Sequence, residues 1–482
     1  MASHPFHRFD TSGYIHIDGN TPVSTPRQLI HASEGIEIFR HMNEASQLDS
    51  LEFHMSGQSK IQLIVEQHHP AGQVTQTLML RISAAKGFII KPASNTQVMA
   101  LFTGDEDDEI GIGRTMVNPC VVHAGGGADR IDSSANHASI FGGKGNDHIV
   151  VVRGKCYADG EEGDDEILSL NDGHVTFHGG PGEDMLKGSR HTALSFLDGG
   201  EDDDTVIGGG GPNIIVGGPG GDQIEAGGQH NVIYTGGGYN QVEKLKPTDT
   251  TYHNVTSDLT VDYTTITSDQ LDKFPPGELA SHTVHVEPRP INHAAFTFNG
   301  STHFIERAKD DLRLLLASPT GQKLLSKLES AALTSGRSIE INESQTGTNA
   351  HFTPLDSAGA AAAFIHDGQA GAPSYGGSIS YSIKDVMGDN PSVIALFHEL
   401  CHAYNHVTGT LLPGTSAQSE PGSLLPPQQV LNTELQAVGL PTSAAPFDFD
   451  ADPTTPPTTT NPEAFSENGL RKELGLSPRT RY

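Results

Sequence analysis

Cysteines and long apolar runs are both scarce in this sequence. Its 482 residues contain 3 cysteines, Cys120, Cys156 and Cys401. Because they are few and scattered along the chain, a fold held together by a framework of disulfide bonds is excluded. No apolar run approaches the length of a membrane-spanning helix, and residues 1–10 lack the apolar core of a secretory signal. We therefore expect a soluble protein that stays in the cytosol or leaves it by a route whose signal is not hydrophobic.

Basic residues are also few. The chain has 29 Lys and Arg against 59 Asp and Glu, which gives a formal net charge of -30. This charge would repel nucleic acid and anionic membrane surfaces, so we exclude both as partners and expect bound cations. A chain of 482 residues also exceeds what one hydrophobic core usually organises, and its length predicts a multidomain protein with roughly three domains.

Glycine, in contrast, is abundant, and many of the 55 glycines lie between residues 120 and 243. Residues 142–147 (GGKGND), 179–184 (GGPGED) and 217–222 (GGPGGD) fit one pattern, G-G-x-G-x-D. In each copy an aliphatic residue follows the aspartate by two positions: Ile149, Leu186 and Ile224. This is the nine-residue calcium-binding (RTX-type) repeat of a parallel β-roll.

Looser copies of the nonapeptide fill the intervals and place an aspartate about every eighteen residues. Two nonapeptides make one coil, so these aspartates stack on one edge of the roll. Glycines allow positive φ in the loops, and an aspartate completes an all-oxygen calcium site between adjacent coils. Alternate later copies carry Asn213 and Asn231 instead, so the other edge is predicted to lack carboxylates. The predicted calcium ligands are Asp129, Asp147, Asp165, Asp184, Asp204 and Asp222.

Two alternatives to this calcium roll remain open: a metal-free roll with asparagine ladders on both edges, and a flexible glycine-rich linker. Around residues 119–243, which we assign to the roll, the pattern predicts four further segments. Residues 1–50 are expected to be a flexible N-terminal segment, 51–118 a small β cap, 244–294 a connector with short strands, and 295–482 an α+β domain.

The α+β domain carries an H-E-x-x-H motif, His398-Glu399-Leu400-Cys401-His402. On a helix the two histidines share a face, so both can bind one Zn²⁺ while Glu399 is the general base. Asp389 or Asn390 is expected to cap this helix, with Pro391 in its first turn.

A catalytic zinc needs a third protein ligand and an open position for water. The metzincin pattern requires Gly at position 405 and His at 408, where this chain has Asn405 and Thr408. His406 lies about 12 Å along the helix from His398, too far to share the ion. The best candidate is Glu434, on a predicted short helix ended by Gly439. The alternatives are Glu467 and an acidic residue in the loop at 447–452.

Two helical patterns (303–316 and 321–333) and two β-like runs (338–342 and 378–383) precede the motif helix. This order is typical of zincin metalloproteases, in which an edge strand holds an extended peptide by main-chain pairing. Tyr375 or Tyr381 is a candidate hydrogen-bond donor to the tetrahedral oxyanion, although strand tyrosines more often serve packing.

Three blocks of this domain resemble the M91 family of bacterial effector zinc metalloproteases, of the NleD and HopH type. They are residues 398–409 (HELCHAYNHVTG), 434–441 (ELQAVGLP) and 466–482 (SENGLRKELGLSPRTRY), with a Thr/Pro-rich insert at 452–461 between the last two. The resemblance implies a zinc endopeptidase that type III secretion delivers into host cells, with mitogen-activated protein kinases among the substrates of the family.

We therefore expect a secreted or translocated zinc endopeptidase, a monomer with a protein substrate that could be a host kinase. In its mechanism a zinc-activated water attacks the peptide carbonyl, and Glu399 first takes up and then donates the proton. Two other functions remain as alternatives: a calcium-binding adhesion or scaffold protein with an inactive zinc domain, and a zinc amidase toxin with a non-protein substrate. Clustered aspartates repel each other at cytosolic calcium, so folding of the roll is expected to be coupled to export.

Overall fold

The computed structural model describes residues 14–33, 35–43, 48–56, 60–68, 75–82, 87–113, 116–170, 172–253, 260–262, 283–286, 289–344, 350–383, 390–419, 426–452 and 454–482. The chain forms two compact units. The first contains Met1–Asn213 and Gln223–Gly228, and the second contains Ile214–Asp222 and Gln229–Tyr482. None of the helices in the described part of the chain has both the length and the apolar character needed to cross a bilayer.

Strands dominate the first 285 residues. They are β1 (Ile15–Asp18), β2 (Arg27–Ser33), β3 (Ile36–Asn43), β4 (Leu48–Met55), β5 (Lys60–His68), β6 (Thr75–Arg81), β7 (Gly87–Lys91), β8 (Val98–Gly104), β9 (Glu109–Ile112), β10 (Cys120–Gly126), β11 (Arg130–Ser133), β12 (His137–Lys144), β13 (His148–Val151), β14 (Lys155–Glu162), β15 (Glu166–Ser169), β16 (Val175–Pro181), β17 (Met185–Lys187), β18 (Ser195–Glu201), β19 (Thr205–Ile207), β20 (Asn213–Val216), β21 (Gln223–Glu225), β22 (Val232–Tyr234), β23 (Gln241–Glu243), β24 (Thr250–His253), β25 (Thr260–Asp262) and β26 (Thr283–His285).

The first unit is a two-sheet β-roll. One sheet has the order β1-β7-β6-β5-β9-β11-β13-β15-β17-β19-β21, and the other has the order β2-β3-β4-β8-β10-β12-β14-β16-β18. From β8 and β9 onward the paired strands are parallel, as the nonapeptide repeat predicts.

Aliphatic side chains at equivalent positions of the coils fill the interior. The first sheet contributes Ile110, Ile131, Ile149, Ile167, Leu186, Val206 and Ile224, each in register with the next and at most 1% exposed. Each such burial contributes about 1.5–3 kcal/mol relative to exposure. The prediction that the aliphatic residue of each repeat fills the interior is confirmed.

The N-terminal residues differ from the predicted flexible segment over 1–50. In their described part β1 pairs with β7, and β3 pairs with β2 and β4. The reason is an alternating pattern that the prediction overlooked: Ile36 and Ile38 are buried, and Arg40 bonds Asp49 at 2.8 Å. Within residues 51–118, the predicted β cap, β8 and β9 pair in parallel with β10 and β11 of the roll.

The second unit begins with roll strands. β20, β22, β24 and β26 pair in parallel, as do β23 and β25. The predicted connector over 244–294 thus includes strands that continue the coils, although residues 254–259, 263–282 and 287–288 lie outside the described residues.

An α+β region follows in the same unit. Its strands are β27 (Phe296–Asn299), β28 (Ile339–Glu343), β29 (His351–Pro354), β30 (Gly377–Tyr381), β31 (Thr415–Gln418) and β32 (Gln428–Leu431). Its helices are α1 (Thr302–Ala317), α2 (Pro319–Ser335), α3 (Ser357–Ala362), α4 (Ser392–Thr408), α5 (Asn432–Val438) and α6 (Glu467–Glu473), with a 3-10 turn at Glu463–Phe465. The predicted helical pair and both predicted strands are confirmed as α1, α2, β28 and β30.

Ser318 separates the helical pair. It ends α1 and caps α2, since its hydroxyl accepts a hydrogen bond from the amide of Gly321 at 2.9 Å and Pro319 opens the next helix. The sheet has the order β27-β28-β30-β29, with parallel pairs except for the antiparallel edge strand β29. Helix α4 packs against both β29 and β30, which brings the motif next to the edge of the sheet.

Candidate active site and calcium ladder

The motif lies in the middle of α4, where nearly every residue from Val393 to Asn405 is buried. Gly409 ends the helix in the left-handed conformation, with φ 68°. The prediction that Asn390 is the N-cap of this helix is wrong. Pro391, with its fixed extended backbone, holds the N-cap position without a side-chain hydrogen bond. Asn390 instead accepts a hydrogen bond from Arg471 at 3.0 Å, and Asp389 lies outside the described residues.

Three side chains converge beside the motif. The Nε2 atoms of His398 and His402 are 3.2 Å apart. Glu434 Oε2 lies 3.1 Å from His402 Nε2 and 3.5 Å from His398 Nε2. Two ligands of a tetrahedral zinc ion, each about 2.0–2.1 Å from the metal, are separated by about 3.3 Å. In the described part of the chain this is the one group of three or more His, Cys and acidic side chains whose ligand atoms are close enough to share an ion.

Helix α5 holds Glu434 in this position. Leu435 and Val438 are fully buried, and Gly439 ends the helix with φ 90°. Gln436 adds a buried polar anchor, donating to the carbonyl of Thr410 at 2.7 Å and to Asn461 at 2.8 Å. Burial alone would raise the pKa of Glu434, but the hydrogen bonds from His398 and His402 lower it well below its usual range. Glu434 is therefore a carboxylate in contact with both imidazoles.

Glu467, the alternative third ligand, contacts the other side of His398. Its Oε2 lies 3.0 Å from His398 Nδ1 and accepts a hydrogen bond from Arg479 at 3.1 Å. Its carboxylate is 2% exposed. A carboxylate on the distal nitrogen of a histidine fixes the tautomer and the ring orientation of a metal ligand. Glu467 thus contacts the Nδ1 side of the His398 ring, whereas Glu434 faces its Nε2 atom. Burial lowers the pKa of His398, but Glu434 and Glu467 reverse this and raise it to about 9.

Glu399 is buried beside this group, with 4% of its surface exposed. Burial raises the pKa of its carboxyl above the usual range, partly offset by the nearby histidines. The backbone of Phe352 also forms a hydrogen bond with this carboxylate. Phe352 belongs to β29, so the edge strand and the predicted general base are in direct contact.

Two other sequence candidates lie away from the convergence point. The ring of His406 packs against Phe352 at 5.2 Å, and burial lowers its pKa to about 4. In the loop at 447–452, Asp450 accepts a hydrogen bond from Thr455 at 2.8 Å and Asp452 one from Thr454 at 2.7 Å. These aspartates thus form contacts within their own loop.

The two candidate tyrosines precede the motif helix in or beside β30. The fully buried hydroxyl of Tyr381 donates to Asp311 at 3.0 Å, which is a packing role, and Tyr375 is half-buried before β30. Sequence reasoning missed Tyr482, whose hydroxyl donates to Glu434 and whose ring centroid lies 6.2 Å from that of His398. Burial and Glu434 raise the pKa of Tyr482 above its usual range. No local pattern marks this residue, because its proximity depends on the tertiary fold.

The aspartates of the roll form a ladder. The backbone N–H of Asp129 donates to Asp147 Oδ1 at 2.8 Å, and that of Asp147 donates to Asp165 Oδ1 at 2.7 Å. The same bond joins Asp165 to Asp184 at 2.7 Å and Asp184 to Asp204 at 2.9 Å. All five side chains are at most 2% exposed.

The second carboxylate oxygens provide a test for a bound cation. Among the described residues, the Oδ2 atoms of Asp129, Asp147 and Asp165 are buried and have no hydrogen-bond partner. Burial raises the pKa of these side chains, to about 6, about 8 and about 7. Buried carboxylate oxygens without donors are costly unless a cation or proton satisfies them, and oxygen ligands are those that Ca²⁺ prefers. The residues present therefore fit calcium.

The ladder has one member that sequence reasoning missed. Asp108 is 2% exposed, and its N–H donates to Asp129 Oδ1 at 2.7 Å. The sequence does contain a pattern that could have identified this copy. Gly104, Asp108 and Ile110 match the second, sixth and eighth positions of the repeat, and most of the other residues in this copy are acidic. In the second unit, the N–H of Asp222 donates to Asn240 Oδ1 at 2.9 Å.

Together these features define a multidomain protein with a parallel β-roll of nonapeptide repeats, followed by an α+β region whose motif helix lies against a mixed sheet. Residues 292–482 match the family Peptidase_M91, effector protein. Residues 123–151, 159–190, 195–215 and 207–242 match the RTX calcium-binding nonapeptide repeat (4 copies).

The chain thus carries a region that matches the Peptidase_M91 effector family, preceded by RTX calcium-binding repeats, and the two matches support a bacterial effector peptidase-like protein. The two matches support calcium binding and a protein substrate, and they fit secretion or translocation. No curated protein and no solved structure matches the chain.

Proposed function

We propose that this protein is a secreted or translocated zinc endopeptidase whose roll binds calcium. The observation that carries the proposal is the convergence of His398, His402 and Glu434 within 4.8 Å of one another beside Glu399. Two imidazole nitrogens and a carboxylate oxygen are the ligands of a catalytic zinc that keeps one position open. Zn²⁺ held by these residues would lower the pKa of a water and polarise a peptide carbonyl.

Glu399 is the general base of the proposed reaction. A carboxyl whose pKa burial has raised is closer to the ideal for proton transfer near neutral pH than an exposed one. It accepts a proton from the attacking water and then donates it to the leaving amine. The hydrogen bond with the Phe352 backbone fixes this carboxylate relative to the edge strand.

β29 is the proposed docking edge for the substrate. It pairs with β30 on one side, and no described strand pairs with its other side. An extended peptide added there by main-chain hydrogen bonds would run past Glu399.

The hydroxyl of Tyr482 replaces Tyr375 and Tyr381 as the proposed donor to the oxyanion, because it is in contact with Glu434.

The test joins metal analysis to proteomic mapping of cleavage sites, using the full chain and Glu399→Gln. The wild type should bind one zinc ion and cut peptide bonds, whereas Glu399→Gln should keep the zinc and lose cleavage. Glu463→Gln is a matched control, since Glu463 is exposed and pairs with Lys472. Zinc binding without peptide cleavage by the wild type, or undiminished cleavage by Glu399→Gln, would overturn the proposal.

A further inference from the structure

A tyrosine of one roll coil, at the end of β22, contacts the helix that carries Glu467. Tyr234 ends β22, in the same compact unit as the peptidase region, and its side chain is fully buried. Its ring stacks on that of Tyr252 in the next coil, with centroids 4.7 Å apart. Its hydroxyl donates to Glu473 Oε1 at 2.8 Å. This buried, charge-assisted hydrogen bond links the roll to the last residue of α6.

Glu473 also holds the start of a second helix. Its Oε2 accepts a hydrogen bond from the backbone N–H of Thr320, in the first turn of α2, at 2.9 Å. One carboxylate thus ties together a roll coil, α2 and the end of α6. Such charge-assisted bonds are stronger than neutral ones and define direction as well as distance.

The opposite end of α6 contacts the proposed zinc ligand. Glu467 is the first residue of the helix, and its Oε2 lies 3.0 Å from His398 Nδ1. The two glutamates are six residues apart, which spans about 9 Å of a rigid helix. A shift or tilt at Glu473 therefore moves Glu467 and changes the orientation of the imidazole.

We propose that Tyr234 is a positioning residue for the peptidase site, acting through Glu473 and α6 on Glu467 and the His398 ring. The proposal rests on the proposed function, which assigns His398 to the zinc. It gives the roll a specific effect on the peptidase: a properly folded coil around β22 is needed for tight zinc binding.

The test compares Tyr234→Phe with Tyr252→Phe in the full chain, with calcium present. Both variants lose one hydroxyl from stacked rings, but only the first loses the bond to Glu473. Removal of outer-shell partners of a metal ligand typically weakens metal binding about 10–100-fold, so one step further out we expect a loss of about tenfold. Zinc affinity is measured by chelator competition, and the mobility of α6 by hydrogen exchange.

Tyr234→Phe should weaken zinc binding, accelerate exchange in α6 and lower kcat with little change in KM, while Tyr252→Phe leaves all of these close to wild type. Equal zinc affinity and equal α6 exchange in the two variants would overturn the proposal. If Tyr234→Phe does not fold, Glu473→Gln provides the second variant. It keeps one acceptor oxygen where the carboxylate has two, and it should reproduce the loss.

The double variant tests the link itself. If the hydroxyl acts through Glu473, Tyr234→Phe with Glu473→Gln should lose little more zinc affinity than either change alone. Additive losses would contradict the path. A wild type that binds no zinc would refute the proposed function instead, and α6 exchange would still decide whether Tyr234 holds the helix.

Discussion

Replacing Glu467 by glutamine perturbs the orientation of His398 without touching the three converging atoms. Glu467 accepts from His398 Nδ1 and from Arg479 through one oxygen, and from Arg471 at 3.4 Å through the other. A glutamine side chain has one acceptor oxygen where the carboxylate of Glu467 has two. Its amide NH₂ must then face either the imidazole N–H or a guanidinium, and both of these are donors. The substitution therefore replaces an attractive contact with a repulsive one.

The expected loss follows from this position. Mutation of a carboxylate that orients a metal-bound histidine costs about 10–100-fold in metal affinity, which is about 1.4–2.7 kcal/mol. Because Glu467 is 2% exposed, solvent screens the contact little, and we expect the upper half of that range. Zinc affinity measured by competition with a chromophoric chelator should fall accordingly, and circular dichroism should report an unchanged fold.

Glu463→Gln is the matched control, four residues earlier in the sequence. Its carboxylate is exposed and pairs with the exposed Lys472 at 2.7 Å, so the same chemical change should alter zinc affinity less than twofold. If Glu467→Gln binds zinc as tightly as Glu463→Gln while folded, the orienting function of Glu467 is refuted.

Two further predictions concern catalysis and the roll. Tyr482→Phe should lower kcat about 100-fold or more with zinc retained and KM little changed, as expected for loss of an oxyanion donor; single-turnover kinetics with normal rates would contradict it. Without calcium, the roll should be most stable below the unfolded pKa of 3.8 and lose stability as the pH rises through about 8, because burial raises the folded pKa of Asp147. Millimolar calcium should remove this loss, and Asp147→Asn should reduce the pH dependence; thermal unfolding from pH 4 to pH 8 measures both, and a calcium-free roll that gains stability over this range would refute the reasoning.

The roll could be predicted because its determinants are local and periodic. Each repeat supplies its own glycines, aspartate and aliphatic residue, so the register between coils follows from sequence spacing. The strands before the repeats were missed for the converse reason. Ile36 and Ile38 are buried because β3 pairs with β4, and no nonapeptide repeat predicts that pairing. Asp108 lies between these cases, since its copy keeps three positions of the repeat and lacks two of the three glycines.

The motif helix was likewise predictable from short-range spacing, but the functions of the two downstream glutamates were not. Glu434 and Glu467 both lie in short helices after the motif, and sequence spacing makes either one a plausible ligand. They are distinguished by which nitrogen of His398 each one meets: Nε2 for Glu434 and Nδ1 for Glu467. That choice depends on how α5 and α6 pack on α4, which is fixed by buried contacts far apart in sequence. The Gln436 anchor sets α5, and the Tyr234 bond to Glu473 sets α6. A carboxylate on each side of one imidazole is therefore a property of the tertiary fold, and we expect the affinity of the proposed site for zinc to depend on residues that do not contact the ion.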